Sequence, residues 1–464
     1  MKRLSCLLAL LLAACSESTP GSDAGSPADT DAQVADSGTG QIIDAGEDDA
    51  GVLDAGPSRL DQSLADLLAS LPEPPTALDA EPAADPALLA LGEALFFDPI
   101  LSGNKDTACA SCHQATSASA DGLPLALGTG ASGRGAQRAE GERPAWARRH
   151  SPDLWNRGRL HTLFWDGRVT SSSTTSGPPV PTGVTDPLAV QALHPLLDPT
   201  EMLGRPQDTA TDGQPNELAG RSPELVYAGL IARLEALPGY VTLFEAAYPG
   251  EGVSMQGVLT AIAAFERTRF DASNTPWDQY LRGDLSALND AAKLGAQVFF
   301  GAGKCVQCHS GPMLTDQQLH NVGVPLLDPV DEGAAALAPP GPVFGFRTPP
   351  LRNAAASPPF MHNGTMATLQ DVLRHYSNPE VTAADYEGEA LPEDLRSRIV
   401  STASVTARLV GALSDDLPVA SSGSTPVGLS NIRQFLLQLV DEQALQRAMA
   451  VPAEVPSGLA VGGL

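Results

Sequence analysis

Apolar positions divide the chain into three regimes. A short apolar stretch from Leu4 to Ala14 follows two bases, Lys2 and Arg3. Residues 16–58 then carry almost no large apolar side chain. Beyond them, apolar residues recur at helical spacing. The pattern predicts helices over Leu91–Phe97, Pro223–Ala236, Val253–Thr268, Leu294–Phe300, Thr368–Tyr376 and Ser430–Ala448. Ser171–Asp186, rich in Ser, Thr, Gly and Pro, reads as a loop. The fold class expected from this pattern is mainly α with long loops.

Composition narrows this picture. The 464 residues suit more than one domain, and 42% of them are apolar, enough for a sizeable core. The formal charge is −27, which argues against a nucleic-acid partner, since phosphates call for clustered Lys and Arg. The first 15 residues resemble a signal peptide: the apolar stretch is too short to span a bilayer. Leu12-Ala13-Ala14-Cys15 has the form of a lipobox, with Cys15 the acylated residue and Ser16 pointing to an outer-membrane destination. An ordinary signal cleaved nearby is the simpler alternative. Residues 16–58 hold ten acids and no Lys or Arg, with repeated Asp-Ala-Gly units. They cannot bury enough surface to offset ordering entropy, and read as an acidic tether. Setting that segment and the two signal bases aside, residues 59–464 still carry −19.

The cysteines locate the chemistry. Cys6 and Cys15 belong to the signal; the other four sit in Cys109-Ala110-Ser111-Cys112-His113 and Cys305-Val306-Gln307-Cys308-His309. Thiols three positions apart can form thioethers with the two vinyl groups of a haem, and the adjacent His then reaches the iron. A zinc site or two disulfides are the alternatives, yet neither explains a His directly after both pairs. One chance match at this composition is on the order of one in a thousand. Leu91-Gly92-Glu93-Ala94-Leu95-Phe96-Phe97 precedes the first motif, and Leu294-Gly295-Ala296-Gln297-Val298-Phe299-Phe300 the second. This repeat predicts two cytochrome c-like domains. The organisation expected is signal peptide 1–15, disordered linker 16–75, first haem domain 76–275 and second haem domain 276–455.

Further stretches carry a resemblance. They are Phe164-Trp165-Asp166-Gly167-Arg168, Gln191-Ala192-Leu193-His194-Pro195 leading to Glu201-Met202, and Ala264-Phe265-Glu266-Arg267-Thr268. Tyr280-Leu281-Arg282-Gly283-Asp284, Leu351-Arg352-Asn353 and Phe360-Met361-His362-Asn363-Gly364 follow. In this order around two CxxCH motifs, roughly residues 85–445 resemble the bacterial dihaem cytochrome c peroxidases and their MauG relatives. The resemblance implies that peroxide reacts at the first haem, with His113 its proximal ligand, and that the second haem, on His309, exchanges electrons. It implies Glu201 as the distal acid–base, Gln191 and Pro195 as pocket residues, and Trp165 as an indole between the haems.

Two departures from the family pattern matter. Many of its peroxidases cap the resting iron with a His in the loop after the first motif, where this chain has Thr129 in Leu127-Gly128-Thr129-Gly130. A first haem that is five-coordinate or water-bound without prior reduction is therefore expected. The distal ligand of the second haem, a Met in the peroxidases, falls on Tyr376, the MauG-type residue; Met361, Met366 and His375 are alternatives. A phenolate favours ferric and higher iron and should lower the potential. The family also binds calcium between its domains, and the resemblance makes one calcium ion a candidate cofactor here: Ser357 and Pro359 match its carbonyl positions, but His150 replaces its Asn. His161, His194 and His320 have no assignable role and read as surface or structural residues.

The resemblance implies an oxidoreductase that reduces hydrogen peroxide to water with electrons from a small c-type cytochrome or cupredoxin. The alternative is a MauG-like enzyme that oxidises Trp or Tyr of a partner protein through a high-valent haem pair. A plain dihaem electron carrier is the third reading. Contact with a membrane is expected through the lipid anchor alone, on the periplasmic side.

Overall fold

A computed structural model describes residues 57–141, 146–171, 177–415, 417 and 425–463. The signal, Cys15 and most of the expected tether lie outside the described residues, as does part of the Ser171–Asp186 stretch. Residues 177–186 are irregular, as expected. Helices dominate, and the only strands among the described residues are two short antiparallel pairs: Thr162–Leu163 with Val169–Thr170, and Leu319–His320 with Phe346–Arg347. No helix of the described residues is long and apolar enough to cross a membrane.

The sequence repeat becomes a repeated helix crossing. The first copy is the helix Pro86–Phe97, started by Pro86 and by the Asp85 carboxylate, which accepts from Ala87 N at 2.7 Å. It packs on the helix Met255–Arg269, with Gly92 against the Ala261 carbonyl, 2.1 Å from where a Cβ would lie. The second copy, Asp290–Phe300, is capped by Asn289 and packs on Pro426–Leu437. There Gly295 meets the Asn431 carbonyl, with 1.9 Å for a Cβ. Only glycine lets the backbones approach so closely. Phe96 and Phe97 then pack on Phe265 and Phe270, while Phe299 and Phe300 pack on Phe435 and Trp277.

The predicted helices fall within a residue or two of Pro223–Glu235, Met255–Arg269 and Leu369–Ser377. Ser430–Ala448 is corrected: the chain breaks into Pro426–Leu437 and Glu442–Ala448. Partners outside the helix hold the break, because Gln438 O accepts from Trp277 N (3.1 Å) and Asp441 N donates to Asn353 Oδ1 (2.6 Å). Apolar periodicity alone does not register such tertiary bonds.

The linker is also corrected at its end. Residues 59–69 form a helix with a Ser58/Asp61 capping box. Leu64 and Leu68 enter the core beside Trp277 and Phe300, and Asp61 pairs with buried Lys293 at 2.7 Å. Thr76 O and Leu78 O accept from Arg352 and Arg282, so the segment is tied to the second half up to Leu78, whose side chain enters the first core beside Leu91 and Leu95. The opposite end crosses the other way. Ala444, Ala448 and Val455 pack with Phe96, Phe97 and Trp155, Ser457 Oγ donates to Asp98 (2.6 Å), and Gly462 N donates to Phe97 O (2.8 Å). Each terminal segment thus buries apolar surface on the half remote in sequence.

Candidate functional site

Each half holds a cavity beside its CxxCH motif. The first, about 1000 Å³, is lined by Cys109, Cys112 and His113 and by Gln191, His194, Pro195 and Glu201. The second, about 220 Å³, is lined by Cys305, Cys308 and His309, by Tyr376, and by apolar side chains including Leu369, Leu373, Ile432 and Leu436. His150, Trp165, Arg347 and His362 line both, and so form a shared wall. Trp165 is held there by its Nε1–H bond to His150 O (3.0 Å).

The donor chemistry fits a covalent haem in each cavity. All four cysteines are free thiols, and the two pairs face different cavities, which excludes one four-cysteine zinc site. His113 Nδ1 donates to Ser119 O (3.1 Å) and His309 Nδ1 to Leu314 O (3.0 Å). Each imidazole therefore presents Nε2 with a free lone pair, the arrangement of an iron-ligating histidine. Burial pushes the His113 pKa down to about 4, keeping the ring neutral.

Glu201 stands on the turn after the helix Pro187–Leu197, where the Asp198 carboxylate accepts from Thr200 N (2.7 Å) and Glu201 N (3.0 Å). Its carboxyl makes no hydrogen bond among the described residues. Burial first, then the nearby Asp198 charge, raises its pKa to about 7, against the opposing pull of Arg168 and Arg149. Gln191, His194 and Pro195 share one face of that helix, as spacings of three and four require. Pro195 has no N–H to offer the Gln191 carbonyl, so that acceptor is freed from the helical ladder.

Thr129 lies away from the cavity, clamped by its neighbours. Its Oγ1 donates to Asp106 (2.8 Å) and accepts from Asn104 Nδ2 (2.8 Å), while its N–H donates to Glu201 O (2.8 Å). Gly130 N also donates to Asp106 (2.7 Å), and Arg138 holds the carbonyls of Leu127 (2.7 Å) and Gly128 (2.9 Å). Gly128 abuts the Glu201 backbone, with 2.6 Å between a Cβ there and Glu201 O. The loop is thus a brace for Glu201.

In the second half, Tyr376 lines the cavity, and burial raises its pKa. His375 points elsewhere, its Nε2 donating to Val322 O (2.8 Å), and does not line the cavity. Met361 lines the cavity and Met366 does not. Of the calcium positions, Ser357 and Pro359 line the second cavity, while His150 Nδ1 donates to Leu123 O (2.8 Å).

Two of the histidines that read as surface or structural residues line a cavity. His194 reaches the first cavity and packs edge-to-face with Phe164 at 4.9 Å; its spacing from Gln191 and Pro195 was the signal that could have found it. His320 lines the second cavity and pairs with Asp316 (2.8 Å), its ligand atom within 4.8 Å of Cys308 Sγ. His161 bonds the neighbouring Thr162 hydroxyl at 3.0 Å.

Comparison with known proteins agrees with this geometry. The family model of di-haem cytochrome c peroxidases matches residues 86–286. The methylamine utilization protein MauG of Methylorubrum extorquens is 32% identical over 63% of this chain and 69% of its own. The chain belongs to the di-haem cytochrome c peroxidase and MauG family. The cytochrome c551 peroxidase of Pseudomonas aeruginosa is 29% identical over 69% of this chain and 80% of its own. A crystal structure of a MauG-like protein associated with microbial copper homeostasis shares the fold, at TM-score 0.57 and 24% identity, covering 82% of this chain and 98% of that one. As a family member the protein is an oxidoreductase, and membership implies two c-type haems.

Proposed function

We propose that the protein reduces hydrogen peroxide to water in its resting, fully ferric form: H2O2 + 2 e⁻ + 2 H⁺ → 2 H2O, with electrons from a small cytochrome or cupredoxin. The observation that carries this reading is the first cavity, where Glu201 faces in and the loop that holds a capping His in many relatives is clamped away. When bound, haem supplies the open iron position and the redox change. The chain's own residues move the protons. With a pKa near 7, Glu201 is poised to take a proton from one peroxide oxygen and return it to the other, so that water departs. Gln191 and Pro195 position the oxygens, and Trp165 in the shared wall provides an aromatic path between the haems. Steady-state oxidation of a reduced cytochrome by peroxide tests the reading; absence of peroxide-dependent turnover with both haems loaded refutes it.

Tyr376 favours a second reading. As a phenolate ligand of the second haem it would lower that potential and ease sharing of oxidising equivalents, so that a partner protein's Trp or Tyr becomes the electron source. Crosslinked or hydroxylated aromatic residues in a co-expressed partner after peroxide treatment are its test.

We further infer that calcium is not required. An imidazole at His150 is a poor ligand for a hard cation, and the Arg347 charge sits in the same wall. Export with acylation at Cys15 completes the proposal, and loss of lipid label in Cys15→Ala is its check.

A further inference from the structure

The shared wall contains a cation that has no ion pair of its own among the described residues. Arg347 is 2% exposed and lines both cavities. The short strand Phe346–Arg347 carries it, fixed by pairing with Leu319–His320 and by the bond from Arg347 N to Trp165 O (2.7 Å). Its side chain donates Nε to Phe164 O (3.1 Å) and Nη1 to Thr348 O (3.0 Å), both neutral carbonyls. Among the described residues it has no carboxylate partner. The acid whose charge acts on it, Asp153, lines both cavities too, but is already paired with Arg157 at 3.2 Å. Two guanidinium groups thus share one carboxylate.

Burying an ion without a partner is costly, and arginine does not escape by losing its proton at neutral pH. Of the other buried or largely buried arginines, Arg149 holds Asp166 and Asp331, Arg157 holds Asp153 and Arg352 holds Asp278. Arg138, like Arg347, bonds only neutral oxygens among the described residues, but it lines neither cavity. Because Arg347 faces both cavities, what fills them can supply a full counter-charge. A haem brings two carboxylates, and a planar fork of donors suits carboxylates on either side of a wall.

We propose that Arg347 is the common counter-charge for haem carboxylates from both cavities, so that one side chain sets the potentials of the two haems together. The inference rests on the two-haem reading above. It makes Arg347 a positioning and electrostatic residue that acts on both haems through their carboxylates.

The test uses the holoprotein and its Arg347→Gln and Arg347→Lys variants. Pyridine haemochrome analysis of the wild type comes first: fewer than two haems per chain would remove the two-haem reading itself. With two haems present, anaerobic spectroelectrochemical titration of Arg347→Gln should lower both midpoint potentials, because removing a cation favours ferric iron. The expected shift is roughly a tenfold fall in the ferrous-to-ferric ratio of each haem at fixed potential. Arg347→Lys, which keeps the charge, should stay closer to wild type yet shift the propionate bending bands of both haems in resonance Raman spectra. If Arg347→Gln fails to load haem, the Lys bands alone decide. A shift confined to one haem, or none, with two haems bound overturns the proposal.

Discussion

The two halves start from the same plan and end as different devices. Both cross a glycine-bearing helix with a later one, both place CxxCH beside the crossing, and both turn the His Nδ1 onto a carbonyl. The cavities then diverge. The first is the larger and is lined by Glu201, Gln191, His194 and Arg168; the second is smaller and is lined by several leucines and by Tyr376. The shared plan secures a covalently held iron. What the iron can do depends on the loops outside that plan, which supply a proton-moving acid in one half and an aromatic oxygen in the other.

Substitution at Glu201 should break the comparison most severely. Glu201→Gln is expected to slow the reaction with peroxide by about 10²–10⁴-fold, the usual worth of a placed acid–base. The sign of the pH effect follows from its raised pKa: the acid is neutral below about 7 and ionised above. The wild-type rate should therefore fall as pH drops through about 7, and the Gln variant should lose that limb. A rate within a few-fold of wild type would remove Glu201 from the mechanism.

Tyr376→Phe addresses the other half. The low-spin signal of the ferric protein should change while the first haem keeps its own spectrum. An unaltered low-spin signal would assign the ligand elsewhere, with Met361 next on the cavity wall.

The common plan can be strained in each half separately. Gly92→Ala and Gly295→Ala place a methyl about 2 Å from a facing carbonyl oxygen, so each should cost about 1–3 kcal/mol, or roughly 2–4 °C in Tm per kcal/mol. Calorimetry reads the loss, and the haem spectrum shows which half loosens. An unchanged Tm would mean that the crossings are slack.

A smaller effect is expected from Asp106→Ala, which releases Thr129 and Gly130. Losing these bonds should slow the peroxide reaction by up to about tenfold through the Glu201 backbone. The smallest effect expected is with calcium: EGTA should leave the ferric spectrum and peroxide rate unchanged, and loss of either would restore a calcium requirement.

Much of this was legible in the chain because local chemistry declared it. Cys109-Ala110-Ser111-Cys112-His113 states a haem site wherever it lies, and Leu91-Gly92 with Leu294-Gly295 states a repeated crossing. The places where reading failed depend on contacts remote in sequence. The helix Arg59–Ala69 lies beside an acidic, apolar-poor stretch, and its worth comes from Lys293, more than two hundred residues away. The break after Leu437 answers to Trp277 and Asn353. One arginine in a loop-rich stretch, such as Arg347, carries no sign in the sequence that it will be buried without an ion pair of its own.

The most direct test of the central claim is stopped-flow absorbance of the purified, fully ferric holoprotein mixed with one equivalent of hydrogen peroxide and no donor. The account predicts an immediate spectral change, because Thr129, which stands at the capping position, is clamped clear of the first cavity. Reaction only after one haem has been reduced would contradict it.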